Sequence, residues 1–302
     1  MKESYKILVV DDEPGIRDFI VWHLEDDFEC DYELDVHEAE DGLDAYEKLQ
    51  KEEFDLVISD IKMPKMNGIE LIQKISSEFP KVKTVLMTAF NIDDYLKMVR
   101  DYKVSNILVK TAPFDLKELE TVVDNVLTER NVFGIKNYLE KSVIIEEKVN
   151  TLSTDNADSV IESLVNFASK DSQIDLEKFQ NVLNHAIPTL FHYALRDEFG
   201  NCCHNLNDVV SDTKGCSFSF DIGADNKQLA VAIKENQGMF SKEYILDWLE
   251  ERLNENNSSV IRNGTERLII NIKKAEKSEI ILVFYNERTR YYGNKPLYIN
   301  EI

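Results

Sequence analysis

Five polar residues stand at the ends of apolar runs and could act on phosphorus together. Asp11 and Asp12 follow KILVV (6–10), Asp60 closes FDLVISD (54–60), Thr88 lies near the end of KTVLMTAF (83–90), and Lys110 closes NILVK (106–110). Carboxylates gathered at one rim repel one another, and a divalent cation among them removes the repulsion. An all-oxygen donor set that leaves room for water and phosphate oxygens suits Mg²⁺. A carboxylate is also a nucleophile toward phosphorus. Phosphoryl transfer needs positioning and charge neutralisation more than covalent help. The cation and the Lys110 ammonium would supply the charge, and the Thr88 hydroxyl could donate to a phosphoryl oxygen. Ordinary loop acids and a surface lysine explain any one of these residues, but not five at matching strand ends.

The elements that must hold them alternate regularly. The short apolar runs at 6–10, 54–60, 83–90 and 106–110 read as strands buried on both faces. Between them lie helical spacings. Residues 14–25 place Ile16, Phe19, Ile20 and Leu24 on one stripe behind Pro14, and 42–50, 67–79, 92–101 and 114–128 repeat the pattern. Strands alternating with amphipathic helices predict an α/β fold, a doubly wound five-stranded parallel sheet. Such sheets bind ligands at the carboxyl ends of their strands, where these five residues fall.

Composition sets the wider frame. At 302 residues two domains are expected. The net charge of −22 excludes binding to nucleic acid or an anionic membrane through the overall field. Residues 25–44 carry 11 acids and no Lys or Arg, either a solvated face or a partner-docking surface. Cys30, Cys202, Cys203 and Cys216 form no C-x-x-C pair. Reduced thiols, and with no signal-like or membrane-spanning run a cytoplasmic location, are therefore expected.

The text ILVVDDEPGIR, DLVISDIKMPKMNGIEL, VLMTAF and ILVK resembles the receiver domain of bacterial two-component response regulators. The resemblance spans residues 5–128 and sets a first domain at 1–128. It implies that Asp60 is the phosphoacceptor and that Asp11 and Asp12 bind Mg²⁺ together with Asp60. It gives Thr88 the role of switch hydroxyl and Lys110 that of phosphate partner. A histidine kinase or phosphotransfer protein is the implied donor. Two departures stand out. Ile107 occupies the place of the family's switch aromatic, and Lys110 is followed by Thr111-Ala112-Pro113 rather than directly by proline.

Residues 129–141 are expected to be a helical linker. The stretch 115–141 offers either one long helix that could pair two copies or a plain connector, with Gly134 weakening the helix. The second half, 142–302, predicts a strand at 142–149, helices at 156–169 and 176–208, and strands at 216–222 and from Gln228 on. A helix at 241–254 and the strand pair RLIINIK and EIILVFY complete it. That order predicts an α/β two-layer sandwich with a mixed sheet. No basic helix-turn-helix stretch is present, which argues against a DNA-binding output.

This half resembles the histidine-kinase-like ATPase fold, in its anti-sigma-factor serine-kinase branch. The resemblance implies Asn201 as the metal-binding Asn, Asp197 as the base one turn earlier, and Glu235 through Gly238 in place of the adenine-reading string. Glu235 is longer than the family's Asp, Gln237 replaces a glycine, and residues 255–265 hold one glycine where a phosphate lid needs several. The expectation is a degenerate domain that contacts a downstream protein target. The alternative is an ATP-dependent protein kinase under receiver control.

Overall fold

The computed structural model describes residues 3–89, 100, 106–110, 114–128, 133–139, 143–149, 154–171, 174–194, 218–235, 242–249, 258–273, 276–286 and 297–301. The chain divides into two compact units, Met1–Val132 with Tyr298–Asn300 and Phe133–Leu297 with Glu301–Ile302.

In the first unit, β1 (Ser4–Val10), β2 (Glu33–Ala39), β3 (Leu56–Asp60), β4 (Lys83–Thr88) and β5 (Ile107–Val109) form a parallel sheet in the order β2-β1-β3-β4-β5. Ile7 through Val10 and Leu56 through Ile58 are fully buried, as expected of central strands covered on both faces. The edge strand β2 falls in the acid-rich stretch 25–44 of the sequence. Its exposure alternates along ELDVHEA, and the charges on its open side mask the strand pattern.

The helices are α1 (Pro14–Trp22), α2 (Gly42–Leu49), α3 (Gly68–Glu78) and α4 (Leu116–Thr128). The predicted helix 14–25 changes register after Trp22. Residues His23–Asp27 form a wider π turn, closed by the Phe28 N–H donating to the His23 carbonyl at 2.9 Å. Asn67 starts α3 with a capping box: its side chain accepts from the Glu70 N–H, and Glu70 accepts from the Asn67 N–H. The predicted helix 92–101 lies outside the described residues except for Arg100, which is helical.

The helical linker is not what residues 133–139 form. They hold a single 3₁₀ turn, Ile135–Asn137, after Gly134 at φ +103°. That left-handed value lies outside any right-handed helix.

In the second unit, β6 (Val143–Val149), β7 (Phe218–Ala224), β8 (Gln228–Glu235), β9 (Arg267–Lys273) and β10 (Lys277–Tyr285) form a sheet in the order β9-β10-β8-β7-β6. The pairings among β6 to β10 are antiparallel: β7–β8 and β9–β10 are hairpins, while β6–β7 and β8–β10 are joined through longer connections. Helices α5 (Thr154–Asp171), α6 (Leu176–Ala194), α7 (Lys242–Leu249) and α8 (Ser258–Gly264) complete the unit. Phe179 of α6 packs edge-on against Phe284 of β10, with ring centroids 4.9 Å apart. Helix α8 occupies part of the stretch expected to be a lid. Its Gly264 is a packing residue, since a Cβ there would fall 2.2 Å from Val182 Cγ2 of α6.

The segment that enters this unit is fastened by one buried acid. Both carboxylate oxygens of Glu279 on β10 accept the Gly134 N–H, at 3.0 and 2.9 Å. Asn271 of β9 donates to Glu279 at 3.0 Å, and the Gln228 amide donates to the Tyr138 carbonyl at 2.7 Å. Burial pushes the Glu279 carboxyl up, against the pull of these donors. Lys234 of β8 pairs with Asp221 of β7 nearby. Truncating Glu279 to Ala strands the Gly134 donor, which is expected to cost about 1–3 kcal/mol. Amide exchange should rise across 133–139 while the core of β10 stays protected; unchanged exchange there would show that the acid does not fasten the segment.

Candidate functional site

The sheet order sets Asp11, Asp60 and Lys110 along one rim, since β1, β3 and β5 end there in parallel. Lys110 Nζ lies 2.7 Å from Asp11 Oδ2 and 2.6 Å from Asp60 Oδ1, with Glu13 Oε1 at 4.0 Å. Asp11 is fully buried and Asp60 nearly so. The second Asp60 oxygen accepts the Lys62 N–H at 2.7 Å, and Asp11 Oδ1 accepts the Glu13 N–H at 3.0 Å. Thr88 is buried at the end of β4, and its carbonyl accepts the Lys110 N–H at 2.7 Å.

One ammonium between two buried carboxylates dictates the electrostatics. Burial pushes the Asp60 carboxyl above the usual carboxylate range, and the Lys110 hydrogen bond and charge offset only part of that. Burial works against the Lys110 charge, but its bonds to Asp11 and Asp60 outweigh it and hold the ammonium above its ordinary value. Of the three acids expected to bind metal, the structure brings Asp11 and Asp60 onto one point. Asp12 is exposed, and among the described residues no three His, Cys, Asp or Glu side chains make a metal cluster.

The loop after Asp60 is closed by glycines. The Gly68 N–H donates to the Ile61 carbonyl at 3.0 Å, and a Cβ on Gly68 would fall 2.1 Å from the Asp60 carbonyl oxygen. The Gly42 N–H donates to the Met66 carbonyl at 3.1 Å, and its Cβ would fall 2.4 Å from that oxygen. Lys65, at φ +62°, pairs with the buried Asp41 that caps α2. Ile107 is buried within β5. Three contributors carry no chemical signal of their own in the sequence. Ser59 donates to the Asp60 carbonyl, Glu13 approaches Lys110, and Arg17 donates to the Asp11 carbonyl.

Among the residues expected to bind nucleotide, Glu235 is buried in β8 and accepts from Ser278 of β10. Asp197, Asn201 and Gly238 lie outside the described residues, as do Thr111–Pro113. No described helix is long and apolar enough to cross a membrane.

The response regulator receiver domain family matches residues 7–124. Sporulation initiation phosphotransferase F of Bacillus subtilis is 33% identical over 125 residues, 40% of this chain and 93% of that protein. Response regulator receiver protein CpdR of Brucella abortus is likewise 33% identical over 125 residues, 40% of this chain and 96% of that protein. The crystal structure of chemotaxis response regulator CheY4 of Vibrio cholerae shares 30% identity over 41% of this chain and 99% of its own, with a TM-score of 0.35. Through its first unit the chain belongs to the response regulator receiver family. It spans 42%, 54% and 27% of the length of three further curated relatives, so it is shorter in its match than those whole proteins.

Two substitutions test the geometry. In metal-free buffer at neutral pH, Lys110→Ala leaves two buried carboxylates without their cation and should cost about 3 kcal/mol. The raised Asp60 value sets the sign: the ionised acid is the costly form, so the deficit should shrink as pH falls and Asp60 takes up a proton. A thermal-melt difference independent of pH would contradict this. Gly68→Ala forces the Asp60 carbonyl to move and should cost about 1–3 kcal/mol, read by urea denaturation; an unchanged midpoint would show that the loop yields freely.

Proposed function

We propose that this protein is a response regulator that accepts a phosphoryl group on Asp60 from a histidine kinase or phosphotransfer protein and signals by protein contact through its second unit, without binding DNA. The observation that carries this reading is the Lys110 ammonium shared by Asp11 and Asp60 at 2.7 and 2.6 Å. An Asp60 carboxylate oxygen attacks phosphorus. The new O–P bond forms as the bond to the donor breaks, whether to an imidazole nitrogen or an acetate oxygen, and the departing group keeps that electron pair. Asp60 reacts ionised, so no proton is removed from it. Lys110 is already fixed at the rim by β5 and can turn its charge to a phosphoryl oxygen, while Thr88 supplies a hydroxyl.

The donor set suits a divalent cation, because two buried carboxylates already converge on one positive charge and offer oxygen alone. Asp11 and Asp60 would hold Mg²⁺, with Asp12 beside them, and the ion when bound neutralises charge on the phosphoryl group. The added group brings about −1.5 to −2 charge to the strand ends. Ile107 is inside already and has no ring to bring inward, so in this reading Thr88 and the chain after it carry the response. A non-DNA output is supported by charge: residues 129–302 hold 27 acids against 20 bases.

Incubation with acetyl phosphate and Mg²⁺ tests the assignment. Intact-mass measurement should show one phosphoryl group on the wild type and none on Asp60→Asn. Equal labelling of both would remove Asp60 from the role.

A further inference from the structure

The main chain of Asp11 is tied at both of its polar groups. Its N–H donates to the Ala39 carbonyl of β2 at 3.2 Å, and its carbonyl accepts from Arg17 Nη1 at 2.8 Å. Arg17 lies in the first turns of α1, and its side chain is only 14% exposed. Its Nε donates to Glu38 Oε2 of β2 at 3.1 Å, while Asp18 is 4.0 Å away. The planar guanidinium thus serves two acceptors on different elements, which a lysine's single ammonium does not reproduce. Downstream of the tie, Asp11 Oδ1 accepts the Glu13 N–H and Oδ2 meets Lys110. Glu38, Arg17, Asp11, Lys110 and Asp60 therefore form one continuous run of contacts, from the sheet edge to the phosphoacceptor.

We propose that Arg17 is a positioning residue of the phosphotransfer site: by holding the Asp11 carbonyl against β2 it fixes the heading of the Asp11 carboxylate toward Lys110 and a divalent cation. The inference rests on the phosphoacceptor reading above for its cation and on the contacts alone for its geometry. Glu38 is exposed, so its pairing contributes little energy of its own and instead aligns the guanidinium fork. A group that orients a metal-binding side chain without touching the metal commonly governs affinity by about tenfold or more.

The test uses the full chain and three variants, Arg17→Ala, Arg17→Lys and Glu38→Gln. Two readouts are taken: Mg²⁺ affinity by calorimetry, and amide exchange of residues 11–13 in metal-free buffer. Arg17→Ala is expected to weaken Mg²⁺ binding about tenfold and to speed exchange at 11–13. Arg17→Lys and Glu38→Gln should each weaken binding, by less. Acetyl phosphate labelling of Arg17→Ala should recover when Mg²⁺ is raised to saturation. A role through charge alone predicts opposite signs, tighter Mg²⁺ binding in Arg17→Ala and weaker in Glu38→Gln, and that pattern would overturn the proposal. So would a lowered melting temperature with unchanged Mg²⁺ affinity and unchanged exchange at 11–13. If the wild type binds no Mg²⁺, the metal part of the functional reading fails. The exchange readout then decides Arg17 by itself, and unchanged exchange in Arg17→Ala overturns it.

Discussion

Two buried carboxylates share one ammonium at the rim of a parallel sheet, and the first unit is arranged around keeping them there. Asp11 and Asp60 belong to adjacent strands, β1 and β3, whose pairing brings like charges together. Lys110 arrives from β5, on the far side of β4, and its own N–H is tied to Thr88 at the end of β4. The pair of acids is tolerable only while a cation lies between them, because burial penalises each charge. The same condition makes the rim useful. A site already obliged to neutralise two negative charges is suited, on the reading proposed above, to receive a third on a phosphoryl group.

Rigidity around Asp60 comes from backbone rather than from bulk. Its carbonyl is approached by the Ser59 hydroxyl at 2.9 Å and by the bare α-carbon of Gly68, and α3 begins there with a complete capping box. The loop then closes on α2 through Met66 and Gly42. These contacts need small residues and free amides, so the platform under Asp60 is set by what is absent from Gly42 and Gly68. The residues with chemistry are few, and the residues that hold them still are of ordinary types.

That division explains what the sequence discloses. Strands β1, β3, β4 and β5 are legible because each is an apolar run ending in a reactive type, and Asp60 and Lys110 follow from that position. Strand β2 is not legible, because its open side is written in acids and the apolar thread of Leu34, Val36 and Ala39 is broken by His37 and Glu38. Arg17 gives no hint by type, since its partner is a main-chain oxygen that no spacing rule marks. In the second unit β7 and β8 are legible from alternation, and β9 and β10 as a pair of apolar runs. Helix α8 does not, because Ser258, Ser259, Asn263 and Gly264 have the composition of a loop, and only packing on Val182 makes a glycine there fit a helix. Glu279 reads as one charged residue before an apolar run, with nothing to announce that it is fully buried and holds the Gly134 amide.

The acidic face of β2 has a bearing on how the molecule behaves among its own copies. A sheet edge is a row of unspent N–H and C=O groups, and another strand can be added to it. Here the seven-residue edge carries Glu33, Asp35 and Glu38 and no Lys or Arg of its own, while Lys6 and Arg17 reach it from neighbouring elements. A second copy laying its β2 alongside would bring three further carboxylates to an edge that already carries three. At the opposite margin β5 offers only three residues. The receiver sheet is thus sealed at one side by repulsion and at the other by brevity, and a crowded solution of this protein is protected against strand-by-strand growth through β2.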